Sequence, residues 1–160
     1  MPPPRAWIAV VGSGEAAPDE LAVAEEAGAA VAEVRCGLVC GGLGGVMEAA
    51  CRGARSRGGL TVGLLPGLDR EAANGWVVVA MPTGLGEARN ALVVRAADAV
   101  VAIGGGWGTL SEIALALKAG LPVVGIATWE PVLDGEVASG VLTADDPHLA
   151  VAEALRLAGR

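Results

Sequence analysis

Apolar residues in this chain fall in short unbroken runs, and between the runs they recur at helical spacing. The runs predict strands at Trp7–Val11, Gly37–Cys40, Thr61–Leu65, Trp76–Ala80, Ala99–Ile103 and Pro122–Ile126. Several are continuous Val, Ile and Ala rather than in/out alternations, the pattern of strands covered on both faces. The helical spacing predicts helices over Asp19–Val34, Val46–Arg57, Glu87–Ala97, Leu110–Ala119 and Pro147–Leu157. The last has Asp146 placed as its N-cap and a proline in its first turn. Gly37, Gly58 and Gly120 mark helix ends. The stretch from Trp129 to Thr143 reads as irregular, with room for one short strand. This βα alternation implies right-handed crossovers and an α/β fold: a single Rossmann-like domain over 1–160, with a doubly wound, mostly parallel sheet and helices on both faces.

Three strands run directly into glycine. The first turn, Gly12-Ser13-Gly14, fits a G-x-G-x-x-A dinucleotide pattern. The acidic residue expected at the end of the next strand is absent, so a tight turn beside a nucleotide pocket is the better reading. The second turn is Gly41-Gly42-Leu43-Gly44-Gly45, followed by Val46 and Met47. The third, Gly104-Gly105-Gly106-Trp107-Gly108-Thr109, follows a fully apolar strand and opens a helix. Bare backbone N–H groups at a helix N-terminus form an anion site, which points to a phosphorylated small molecule. A single such turn is also explained by close helix–strand packing. Without a G-x-x-x-x-G-K-[ST] motif, an ATP-hydrolysing P-loop is not supported.

Thr109 and Glu112 have the spacing of a capping box, in which Thr109 caps the helix and Glu112 reaches back to the Thr109 amide. Spacing alone favours that cap over a Glu112 that faces a ligand. Arg89 begins the helix before the third turn, where a cation opposes the dipole unless an anion partners it. A solvated arginine or a pairing with Glu87 is the alternative. Trp107 is either exposed packing or a flat wall for a planar base.

Net charge narrows the partners. With 11 Lys and Arg against 18 Asp and Glu, the formal charge is −7, and no basic cluster with interleaved aromatics is present. Nucleic acid is therefore not an expected partner. No apolar run approaches the roughly 20 residues of a membrane span. The apolar N-terminal run is short and ends at Gly12, so it reads as a first strand rather than a signal peptide. Cys36, Cys40 and Cys51 lack ligand spacing and sit among apolar residues, and His148 offers no matching set. Reduced buried thiols in a cytoplasmic protein are expected, with no metal site and no resident cofactor.

The motifs together resemble the LONELY GUY (LOG) family, long mislabelled as lysine decarboxylases, over Trp7 to about Ile126. The family's P-G-G-x-G-T-x-x-E signature corresponds to Gly104 through Glu112, and its G-G-G-x-x-G-x-M segment to Gly41 through Met47. The pattern continues through Ala50-Cys51-Arg52-Gly53-Ala54, Gly58-Gly59, Gly63 and Pro66. Two positions depart: Gly104 stands where the signature has proline, and Asn90 where a lysine follows the arginine. In those features the chain resembles the branch that includes the molybdenum cofactor carrier proteins.

The resemblance implies one of two activities. Active LOG members hydrolyse the N-glycosidic bond of nucleoside 5′-monophosphates, giving free base and ribose 5-phosphate. By position the catalytic pair would then be Arg89 and Glu112. The carrier branch binds a pterin phosphate without that cleavage, and a ligand-sensing subunit is a third possibility. Either way the implied ligand-binding residues are Gly12, Ser13, Gly14, Gly41, Gly42, Gly44, Met47, Asn90, Gly104, Gly105, Gly106, Trp107, Gly108 and Thr109. Amides of Gly105, Gly106, Gly108 and Thr109 would grip the phosphate. A homo-oligomer, dimer or tetramer, is also implied.

Overall fold

The computed structural model describes residues 2–138 and 140–160. The strands are β1 (Trp7–Gly12), β2 (Gly37–Cys40), β3 (Thr61–Leu65), β4 (Val79–Pro82), β5 (Ala99–Ile103), β6 (Val123–Ile126), β7 (Val132–Leu133), β8 (Glu136–Val137) and β9 (Val141–Thr143). The helices are α1 (Pro18–Glu33), α2 (Val46–Ser56), α3 (Asn90–Arg95), α4 (Trp107–Lys118) and α5 (Pro147–Leu157), with 3-10 turns at Arg70–Ala72 and Gly86–Arg89. Seven strands form one parallel sheet in the order β4-β3-β2-β1-β5-β6-β9, and β7 with β8 makes a separate antiparallel hairpin.

Every residue of β2, β5 and β6 is buried, which is why their sequences are unbroken apolar runs. One core layer joins Ile8, Val10, Leu38 and Val101 to α1, α2 and α5. The other joins Ala9, Val11, Val100 and Ala102 to α3 and α4. On the first face α1 and α2 touch backbone to backbone. A Cβ at Gly28 would lie 1.9 Å from the Ala50 carbonyl oxygen, and one at Gly53 would lie 1.8 Å from that of Glu25. Arg52 and Glu25 pair at 2.8 Å across the same seam.

Five of the six strand expectations fall on observed strands within a residue. The fourth does not: Trp76–Ala80 is displaced to Val79–Pro82, because Thr61 ties the preceding segment down. Its hydroxyl donates to the Trp76 carbonyl and accepts from the Val78 N–H. The Glu87–Ala97 helix is broken into a 3-10 turn and a short α3. The irregular segment holds three short strands, including a hairpin whose Asp134-Gly135 tip has positive φ at both residues.

The chain crosses from β4 back to β5, beside β1. Strand order therefore reverses between β1 and β5, and their carboxyl ends form the crevice in which open α/β sheets bind ligands. Among the described residues no helix is long and apolar enough to cross a membrane.

Candidate functional site

A cleft of about 300 Å³ opens at that crevice. Gly12, Ser13 and Gly14 form one wall, Met47 and the Arg89–Asn90 pair another, and Gly106, Trp107, Gly108, Thr109 and Glu112 the third. A cavity of similar size lies near the N-terminus beneath Pro2–Arg5; its glycines, Gly58 and Gly59, follow the C-terminal end of α2, and no carboxylate lines it.

The third wall is the start of α4. Its N-cap is Gly106 in extended backbone, with no side-chain cap, and the Leu110 N–H closes the first helical bond onto the Gly106 carbonyl. The N–H groups of Trp107, Gly108 and Thr109 thus point out of the helix end, where the dipole adds positive potential. This corrects the capping-box expectation and the start at Leu110. Thr109 lies inside the first turn and caps nothing. Its hydroxyl is buried and has no hydrogen-bond partner among the described residues.

Arg89 enters from the 3-10 turn at the end of the crossover. It is buried to 9% exposure rather than solvated or paired with Glu87. One guanidinium nitrogen donates to the Asn90 side-chain carbonyl and another, at 3.4 Å, to the Gly41 carbonyl. Its Nε is buried without a partner among the described residues. Asn90 passes the contact on, since its amide donates to Ser111 Oγ at 3.0 Å, on α4. The residue that replaces the lysine of the LOG pattern therefore locks Arg89 to the helix that carries Glu112.

Glu112 is 7% exposed. Burial raises its pKa to about 7 against the lowering pull of Arg89. Near neutrality it is present as both acid and carboxylate, the condition for moving a proton. Two orphaned donors and three free N–H groups suit an anion with several acceptor oxygens, such as a phosphate.

The remaining expected residues sit elsewhere. Gly41 is buried beneath the cleft, where a Cβ would strike Arg89 and Met47, so it makes room for the arginine rather than lining the space. Gly42 packs under Leu65 and Gly63, and its carbonyl accepts from Asn74. Gly44 borders Gly14 and Glu48 at the rim. Gly104 and Gly105 turn away, into a neighbouring hollow shared with Glu20, Ala127, Thr128, Trp129 and Glu130. Gly105 also abuts the cleft residue Thr109, since a Cβ there would lie 2.5 Å from the Thr109 Cβ.

Trp129 is the residue that sequence reading missed. It lies 5.3 Å from Trp107, ring centroid to centroid. Its one available signal was rarity: four tryptophans are the only Phe, Tyr or Trp in the chain.

Cys36, Cys40 and Cys51 are buried free thiols, and no metal-ligating cluster occurs among the described residues. His148 is half exposed and 3.4 Å from Glu33, remote from the cleft.

Comparison with known proteins gives a consistent picture. Residues 5–152 match the family described as the SLOG cluster4 family. An uncharacterized protein of Archaeoglobus fulgidus is 43% identical over 119 residues, 74% of this chain and 78% of that one. The molybdenum cofactor binding protein of the phototrophic bacterium Rippkaea orientalis superposes with a TM-score of 0.83 at 36% identity, covering 98% of this chain and 97% of its own. The molybdenum cofactor carrier protein of Chlamydomonas reinhardtii gives 0.85 at 35%, covering 98% and 100%.

Proposed function

The chain belongs to the SLOG cluster4 family, and on that premise we propose that it is a carrier of a phosphorylated pterin of the molybdenum cofactor type. One observation carries the proposal: the uncapped start of α4 and two partnerless buried donors, Thr109 Oγ1 and Arg89 Nε, border one cleft. A buried donor without a partner costs about 1–3 kcal/mol, and a phosphate oxygen offsets that cost when it arrives. Similarity to the molybdenum cofactor binding protein of Rippkaea orientalis and the carrier protein of Chlamydomonas reinhardtii supports the pterin phosphate as the ligand. The buried reduced thiols suit a reducing compartment, so the cytoplasm is the proposed location.

A second reading has its own support in Glu112. A carboxylate that is buried, close to Arg89 and poised near neutrality suits hydrolysis of a nucleoside 5′-monophosphate. In that reaction water adds to C1′, the C1′–N bond breaks, and the base leaves with the bonding electrons and a proton. Glu112 would orient the water, accept its proton and return that proton to the departing base.

One experiment separates the two. Pure protein is mixed anaerobically with cofactor released from a molybdoenzyme, and separately with AMP, GMP, CMP and UMP. Saturable cofactor retention, weakened at least about tenfold in Arg89→Met, with no free base formed, supports the carrier. Free base from the wild type, lost in Glu112→Gln, overturns it in favour of the hydrolase.

A further inference from the structure

Trp129 is fixed by two consecutive hydrogen bonds to the turn after β5. Ala127 leaves β6 with φ +46, in the left-handed region that a residue with a Cβ enters at a cost. Thr128 then donates its hydroxyl to the Gly104 carbonyl at 2.5 Å, and the Trp129 indole N–H donates to the Gly106 carbonyl at 3.1 Å. The body of the Trp129 ring packs against the core layer that contains Val123 and Ile113. Trp129 is thus a fixed support, held by those two hydrogen bonds and by its packing on the core.

Trp107 rests on that support. It is the first residue of α4, its ring tilted 32° to that of Trp129, and it remains 78% exposed. Its own N–H belongs to the free set at the helix end, and Trp107 is among the residues that border the same cleft as Thr109 and Arg89. A large aromatic side chain, braced from behind and left in water beside an anion cradle, presents a flat surface one residue away from the phosphate position.

We infer that Trp107, braced by Trp129, is a stacking platform for the ring of the bound ligand. The ligand class is then a flat heteroaromatic ring that carries its phosphate on a short linker. The inference rests on the reading of the α4 end as a phosphate site, and it adds the subsite that distinguishes a ring-bearing phosphate from any other. Ring-on-indole stacking is tolerant of ring identity because every such ring offers a π-face. The platform therefore selects for planarity, not for one pattern of ring substituents.

The test compares 6-hydroxymethylpterin monophosphate with methyl phosphate by calorimetry. The first has a flat ring on a one-carbon linker and no glycosidic bond to cleave. Wild-type protein is expected to prefer it by about tenfold or more, and Trp107→Leu to remove most of that preference. Trp107→Phe restores part of it, and circular dichroism checks that each variant is folded. An unchanged preference in Trp107→Leu, or none in the wild type, overturns the platform while the phosphate site stands. Binding of neither compound to the wild type overturns the phosphate site and the platform together.

Discussion

Glu112 is raised from 4.5 to about 7 by burial, so the folded protein holds its proton more tightly than the unfolded chain does. The contribution of this residue to stability is therefore complete below about pH 4.5 and is lost as pH rises through 7. Glu112→Gln resembles the protonated form, and its stability gain over wild type should be absent at pH 4.5. The gain should grow to at most about 3 kcal/mol at pH 8, as read from denaturant unfolding. Thr109→Val makes a complementary case. Removing a buried hydroxyl that has no partner should leave stability unchanged or raise it by up to about 1 kcal/mol, while affinity for a phosphate ligand falls about tenfold or more. Both residues were visible in the sequence, but their roles were not. The Thr-x-x-Glu spacing is the same whether the helix begins before Thr109 or after it, and only the glycine N-cap three residues upstream decides. Arg89 was legible as a cation out of place in a first turn; its burial depends on Gly41, 48 positions away.

The turn between β5 and α4 shows what an element can and cannot accept. Gly104 has φ +51, and its N–H donates to the Ile126 carbonyl at 3.1 Å. Proline holds φ near −65° and has no N–H, so restoring the LOG signature proline as Gly104→Pro should cost about 3 kcal/mol or more. Gly104→Ala should cost only about 1–2 kcal/mol for its backbone, because the Glu20 carboxylate that its Cβ would meet is the end of a flexible side chain. Comparing the two thermal midpoints checks the order. The buried strands were legible because parallel strands under helices carry no polar residue to confuse the pattern. β4 was not, because as an edge strand half in water its Val and Met residues merge with the Val run before it. The split of α3 from its 3-10 turn follows from Arg89, which turns inward instead of following the helical face.

At the scale of the molecule the doubly wound sheet was readable from the order of elements, since short βα connections permit little else. The edge strand β4 exposes Val79 and Met81, with Leu68 and Leu85 also exposed. An apolar sheet edge of this kind invites a partner, and the LOG resemblance makes a second copy the expected one. Light scattering should give a dimer or tetramer, and Val79→Lys with Met81→Lys a smaller species; a monomeric wild type would refute the expectation. The crevice between β1 and β5 has a further consequence, for the order of events during synthesis. Its facing turns, Gly12–Gly14 and Gly106–Thr109, are more than 90 residues apart in the chain and meet only through the β1–β5 pairing. Contacts of such sequence separation form late in folding. A nascent chain that has released β1 through β4 from the ribosome can already begin its first helical layer, yet it owns half a binding site. Under the proposed function, a phosphorylated ligand would find its complete site only on a chain whose central sheet has closed, and an unfinished copy would compete for none of it.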